Sequence, residues 1–183
     1  MALAKINRKW NDIPESIHYV YLWENSKCTN NSNIFPLKRG APSQKVIHDF
    51  NVVIQDEFVK KSLKFDFVVM FPSHDPEKGV GGLDRLVESN DFLKSIPHPT
   101  NFLERTKFVE KRLITEDWSW ERDTNSIIVN SLGNDKVVHI LIIDDMDTKY
   151  CSFGASRDLI KKKFPNCVFE WLTIYHNHKE NEK

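Results

Sequence analysis

The run from Val137 to Ile143, VVHILII, is almost wholly apolar and gives way at once to Asp144-Asp145. It is far shorter than the ~18 residues needed to cross a bilayer. A short continuous apolar run bounded by polar residues reads as a strand buried on both faces. The adjacent acids then mark the point where the chain leaves the interior. Beyond them lies MDTKYCSFGAS, Met146 to Ser156, a polar turn in composition. The pattern next predicts a helix from Ser156 to Phe164, stopped by Pro165, and another strand over Cys167 to Ile174. Strand, turn, helix and strand in that order make a βαβ unit.

The rest of the chain extends the pattern. Ile17 to Trp23, IHYVYLW, is rich in β-branched and aromatic residues and predicts a strand. Asn25 to Asn33 is a loop by composition. Val46, Ile47, Phe50, Val53, Ile54, Phe58 and Leu63 recur near helical spacing, so one helix is expected from Ser43, its N-cap, to about Leu63. Phe65 to Phe71 reads as a buried strand closed by Pro72 and SHDPEKG. A short helix over Leu83 to Leu93 and a strand over Asn125 to Asn130 follow the same cues. Pro97 to Trp120 has no clean period and is expected to be irregular. Alternating strands and helices predict an α/β fold with a mostly parallel central sheet flanked by helices, Rossmann-like in layout. Such sheets place ligands beyond the carboxyl ends of their strands, here at SHDP and at Asp144-Asp145.

The length of 183 residues suits a single domain over 1–183, with 175–183 as a flexible tail. A net charge of zero argues against a general nucleic-acid binder but does not exclude a local basic surface. Cys28, Cys151 and Cys167 form no CxxC pair, and MALAKINRKW has no apolar core of signal-peptide length. The expectation is a cytoplasmic protein that does not enter a membrane. Protein partners and self-association stay open.

The segment after the acids carries the chemistry. Thr148, Ser152, Gly154, Ala155 and Ser156 sit where a turn feeds a helix, and backbone amides at a helix N-terminus attract anions. Gly154 allows close approach of backbone to a phosphate. Asp144 and Asp145 suit the hydroxyls of a ribose or a Mg²⁺ ion. Asp147 adds a third carboxylate that would repel phosphate unless a metal or Lys149 offsets it. The plainer alternative is a strand end followed by an ordinary N-cap at Ser156. Acid pairs after a strand also occur in other Mg²⁺-binding α/β folds.

These segments resemble the type I phosphoribosyltransferases. Ile142 to Ser156 is similar to their phosphoribosyl-pyrophosphate motif: apolar strand, Asp-Asp, then a Thr/Gly-rich turn into a helix. Val69 to Pro76, VMFPSHDP, resembles the strand and loop that meet pyrophosphate. Leu103 to Lys107, LERTK, and Lys38-Arg39-Gly40 resemble elements of the competence-associated, amidophosphoribosyltransferase-like branch. The matches keep the family order between Leu37 and Ile174. The turn after Thr148 looks lengthened by about four residues against that pattern.

The resemblance implies a protein that binds phosphoribosyl pyrophosphate or a nucleotide with Mg²⁺ and acts at the glycosidic carbon, by transfer or cleavage. Asp144 and Asp145 would hold the ribose hydroxyls and, through the ligand, the metal. Thr148, Ser152, Gly154, Ala155 and Ser156 would bind the 5-phosphate. Ser73, His74 and Lys78 would line the pyrophosphate side, with Arg105 and Lys107 as mobile catalytic cations. The alternative is a nucleotide-sensing or effector subunit that has lost turnover. Some bacterial antiphage defence systems, retrons among them, use phosphoribosyltransferase-like effectors.

Other residues have blander readings. His74-Asp75 is a conceivable acid–base pair, but SHDP has turn composition. Lys107, Lys111 and Arg112 read as a solvated face. Arg157 could assist an anion site, whereas Lys161, Lys162 and Lys163 complement a helix C-terminus. Trp118 and Trp120 with Arg122 could stack on bases, though packing is the commoner use. His176 and His178 have no third ligand nearby.

Overall fold

The computed structural model describes residues 6–10, 13–23, 34–110, 121–131, 139–147 and 151–177. Four strands run parallel: β2 (Ile13–Trp23), β3 (Phe67–Met70), β6 (His139–Asp147) and β7 (Val168–Asn177). A fifth, β1 (Ile6–Trp10), adds to the outer edge of β2 antiparallel, giving the order β1-β2-β7-β6-β3. The short strands β4 (Leu103–Arg105) and β5 (Ile127–Val129) pair antiparallel in a separate sheet. The fold is α/β, with a mostly parallel sheet between helical layers.

Successive side chains of a strand point to opposite faces, so a strand covered on both sides must be apolar throughout. Leu141 and Ile143 of β6 join Val68 and Met70 of β3 on one face, and Ile140 and Ile142 join Val69 on the other. The first face is covered by α2 (Gln44–Ile54), α3 (Leu83–Glu88) and α4 (Asp91–Lys94), through Phe50, Ile54, Leu86 and Leu93. The second is covered by the helix α6 (Cys151–Lys163) and the β4–β5 pair, through Phe153, Ile160, Leu103 and Ile127. Between α4 and β4 the chain crosses from one face to the other around β3. The Pro97 carbonyl accepts the Val68 N–H there at 3.0 Å, which covers part of that edge.

The strands expected over Ile17–Trp23, Phe65–Phe71, Val137–Ile143 and Cys167–Ile174 are β2, β3, β6 and β7, with shifted ends. Other expectations need correction. β7 continues through a buried Tyr175 to Asn177, so no tail begins at residue 175. The helix expected over Ser43–Leu63 keeps Ser43 as its N-cap, but only to Ile54, and a π-helical turn follows over Gln55–Val59. That turn buries Phe58 while bringing Glu57 to the buried His18 at 3.2 Å. Pro97–Trp120 is not wholly irregular, because β4 forms there by pairing with β5, too short to show a period. Residues 111–120, with Lys111, Arg112, Trp118 and Trp120, lie outside the described residues, as do Cys28 and the loop expected over Asn25–Asn33.

The largest correction concerns α6. It begins at Cys151 and not at Ser156, so only residues 148–150 separate it from β6. A glycine in a helix costs ~1 kcal/mol relative to alanine. Full burial of an aromatic side chain returns ~1.5–3 kcal/mol. Phe153 is fully buried with its ring 5.2 Å from that of Trp171, which outweighs the cost of Gly154. Ser156 is no N-cap; its hydroxyl donates to the Ser152 carbonyl one turn earlier, at 2.8 Å. Among the described residues no helix is long and apolar enough to cross a membrane.

Candidate functional site

The connections leaving β3 and β6 diverge. After β3 the chain turns to the α2–α4 face, and after β6 it turns to α6 on the opposite face. Neighbouring parallel strands whose connections part in this way open a crevice at their carboxyl ends. A cleft of about 910 Å³ occupies that position. Ser73, His74, Lys78, Arg105, Asp144, Asp145 and Ser152 all line it, from segments spread across the chain.

Asp144 and Asp145 lie on β6 just past its pairing with β3, which stops at Met70–Ile143, while β6 runs on beside β7 to Asp147, so the acids do not end the strand as the sequence suggested. By strand alternation Asp144 follows Ile142 toward α6, and Asp145 follows Ile143 toward α1 (Ile34–Lys38). Asp144 is buried, and its Oδ1 accepts the Asp145 N–H at 2.7 Å. Asp145 is more open and faces Lys38, whose Nζ lies 3.5 Å from Oδ2. Ser152, in the first turn of α6, lines the same cleft, so the start of this helix faces the acid pair. First-turn amides have no carbonyl one turn back to bond, and they carry the positive end of the helix dipole.

The wall opposite is a closed loop. Ser73 N–H donates to the Gly79 carbonyl at 2.8 Å, and Asp75 caps a 3₁₀ turn over Pro76–Lys78 by accepting the Glu77 N–H at 3.1 Å. Lys78 Nζ lies 3.4 Å from Asp75. The loop then runs into Gly81-Gly82, pressed against the end of α1. Gly82 N–H donates to the Leu37 carbonyl at 3.0 Å, and a Cβ on Gly82 would lie 2.5 Å from that oxygen. Only glycine allows this approach, and it sets Lys38, Arg39 and Gly40 along the cleft.

Arg105 departs from the expectation of a mobile cation. It is buried, and its Nε donates to the Ser73 carbonyl at 2.6 Å. Its Nη1 donates to Ser126 Oγ at 2.7 Å and its Nη2 to Asp123 Oδ1 at 3.0 Å, while the guanidinium lies 5.8 Å from the Phe71 ring centre. β4 carries it inward because Leu103 and Arg105 alternate with the exposed Glu104. Arg105 is thus a strut between the β4–β5 unit, the helical turn α5 (Glu121–Thr124) and the Ser73 loop.

The cleft does not gather every expected residue. Lys107 is exposed and does not line it. Gly154, Ala155 and Ser156 are buried inside α6 and do not line it either. Thr148 and Lys149 lie outside the described residues, as does His178. Arg157 is buried on α6 and donates to Asp158 at 3.0 Å. Cys167 is buried, which pushes its thiol up to about 11 and keeps it protonated near neutrality.

Asp123 and Gly81-Gly82 also line the cleft and were not read as site residues from the sequence; Arg39, noted only for its resemblance, and Arg122, noted only as a possible stacking group, line it too. The GVGG run was the available signal for Gly81-Gly82. In all, Lys38, Arg39, Lys78, Arg105 and Arg122 face Asp123, Asp144 and Asp145 among the described lining residues. Lys38, Lys78 and Arg105 have acid partners in Asp145, Asp75 and Asp123, and the cations that line the cleft still outnumber its acids, which favours an anionic ligand. No protein-family model matches the chain, and no curated protein matches it.

Proposed function

We propose that the cleft binds a phosphoribosyl compound, phosphoribosyl pyrophosphate or a nucleotide, with Mg²⁺, and that the protein acts at the glycosidic carbon in the manner of a phosphoribosyltransferase. One observation carries this reading. Two acids stand on β6 where its pairing with β3 has stopped, between a helix N-terminus and a cationic rim. Carboxylates accept hydrogen bonds from a vicinal diol, while helix amides and cations hold phosphates. A ligand with a diol between two phosphate-bearing ends matches that order of groups.

Asp144 and Asp145 accept from the ribose hydroxyls. Ser152 and the first-turn amides of α6 take the 5-phosphate. Lys78, Lys38 and Arg39 face the pyrophosphate side, where positive charge favours the departing group. Among the described residues no cluster of three or more His, Cys, Asp or Glu is placed to hold a metal ion. The two acids therefore suit Mg²⁺ only together with ligand oxygens, its usual mode with phosphate substrates. Once bound, the ion supplies charge neutralisation on the pyrophosphate.

A second reading, nucleotide sensing without turnover by an effector subunit, is favoured by the burial of Arg105. The resemblance makes this residue a closing cation, yet here it is held by Ser73, Ser126 and Asp123. Calorimetric titration with phosphoribosyl pyrophosphate and Mg²⁺, on wild type and on Asp144→Asn/Asp145→Asn, tests both readings. Binding lost in the variant, with pyrophosphate released by wild type across a panel of bases, supports transfer. Binding without release supports sensing. No binding by wild type removes the proposal.

A further inference from the structure

Phe108 stands out against the packing of the other aromatic rings. It is 61% exposed, whereas Phe50, Phe58, Phe102, Phe153 and Phe169 are fully buried. A single exposed apolar residue is ordinary on a protein surface. The position of this one is not ordinary, because it stands at the rim of the cleft. Its ring meets the ring of His74 edge-on with centroids 5.8 Å apart, and His74 and the next residue, Val109, both line the cleft.

The backbone on either side is fixed. Val109 N–H donates to the His74 carbonyl at 3.0 Å, and Thr106 N–H donates to the Ser126 carbonyl at 2.8 Å. The ring is thus presented on a tethered segment at the edge of a concavity whose lining mixes charged and apolar residues. An aromatic face held this way offers a planar heterocycle a stacking surface at little ordering cost.

We propose that Phe108, backed by His74, forms a stacking subsite for the nucleobase of a nucleotide whose sugar-phosphate occupies the cleft. This deepens the sugar-phosphate reading and rests on it: it favours a base-bearing ligand over phosphoribosyl pyrophosphate alone. Stacking is tolerant of base identity, since every base has a π-face. The subsite would therefore accept purine and pyrimidine nucleotides with similar affinity.

The test is calorimetric titration of the full chain with ribose 5-phosphate and with adenosine 5′-monophosphate, for wild type, Phe108→Ala and Phe108→Trp. Phe108 is exposed, so neither substitution removes core packing. The nucleotide is expected to bind wild type more tightly than the sugar phosphate. Phe108→Ala should weaken nucleotide binding roughly fivefold to a hundredfold, the range typical of one stacked base. It should leave ribose 5-phosphate unchanged, and Phe108→Trp should keep the nucleotide. If both ligands bind and Phe108→Ala weakens neither, or both equally, the subsite is overturned while the sugar-phosphate reading stands. If neither ligand binds, the sugar-phosphate reading falls and takes the subsite with it.

Discussion

Replacing Arg105 with methionine should destabilise the protein by about 3–5 kcal/mol, the usual cost of removing one member of a buried ion pair. The side chains of Arg105 and Asp123 are 2% and 5% exposed. Loss of the guanidinium takes from the buried Asp123 carboxylate the cation that donates to it at 3.0 Å. It also removes the donor to the Ser73 carbonyl, at 2.6 Å the shortest of the three Arg105 bonds. Against a total stability of ~5–15 kcal/mol for a domain, this is a large fraction. The double variant Arg105→Met/Asp123→Leu buries no stranded charge and loses mainly hydrogen bonds, each worth roughly 1.5–3 kcal/mol when a charged group is involved. It should be more stable than Arg105→Met alone, with a coupling of about 1–3 kcal/mol. Urea unfolding of wild type, both single variants and the double variant measures this. A single-variant loss under ~1 kcal/mol, or strict additivity, would show that Arg105 is not a strut.

Gly82→Ala should cost ~1–3 kcal/mol, the range for overpacking a tight contact, because its Cβ would meet the Leu37 carbonyl oxygen at 2.5 Å. Thermal unfolding would report the loss, and titration with phosphoribosyl pyrophosphate should show weakened binding as the Lys38–Gly40 segment shifts. His98 supplies a pH test. Burial pushes it down, but its hydrogen bonds with the Ile96 carbonyl and the Glu88 carboxylate hold it above its ordinary 6.5. That contribution is complete below pH 6.5 and fades as pH rises through the elevated native value. Wild type should therefore lose stability relative to His98→Ala on going from below 6.5 to mildly alkaline pH, and a constant difference in denaturation midpoint would contradict this.

Much of the sheet was legible because burial on both faces demands continuous apolar runs. VVHILII, FDFVVMF and CVFEWLTI each contribute a strand to one sheet, and the acids after the first run stand beside a cleft where the pairing with β3 has stopped. The start of α6 was not legible. Gly154 and Ser156 have turn and cap propensities, and only the burial of Phe153 against Trp171 draws them into a helix. Arg105 misled for a similar reason. The resemblance made it a mobile cation, whereas its partners Ser126 and Asp123 come from 21 and 18 residues away in sequence and hold it buried. α1 and β1 are five residues each, too short to show a period. The gathering of Lys38 and Arg39 beside Asp145 depends on the Gly81-Gly82 contact, which no local pattern announces.

A crystal structure of the protein grown with phosphoribosyl pyrophosphate and Mg²⁺ bears most directly on the sugar-phosphate cleft. The expected density places the ribose hydroxyls against Asp144 and Asp145 and the 5-phosphate at Ser152 and the first turn of α6. Ligand density anywhere else on the surface, with that cleft holding only solvent, would contradict the account.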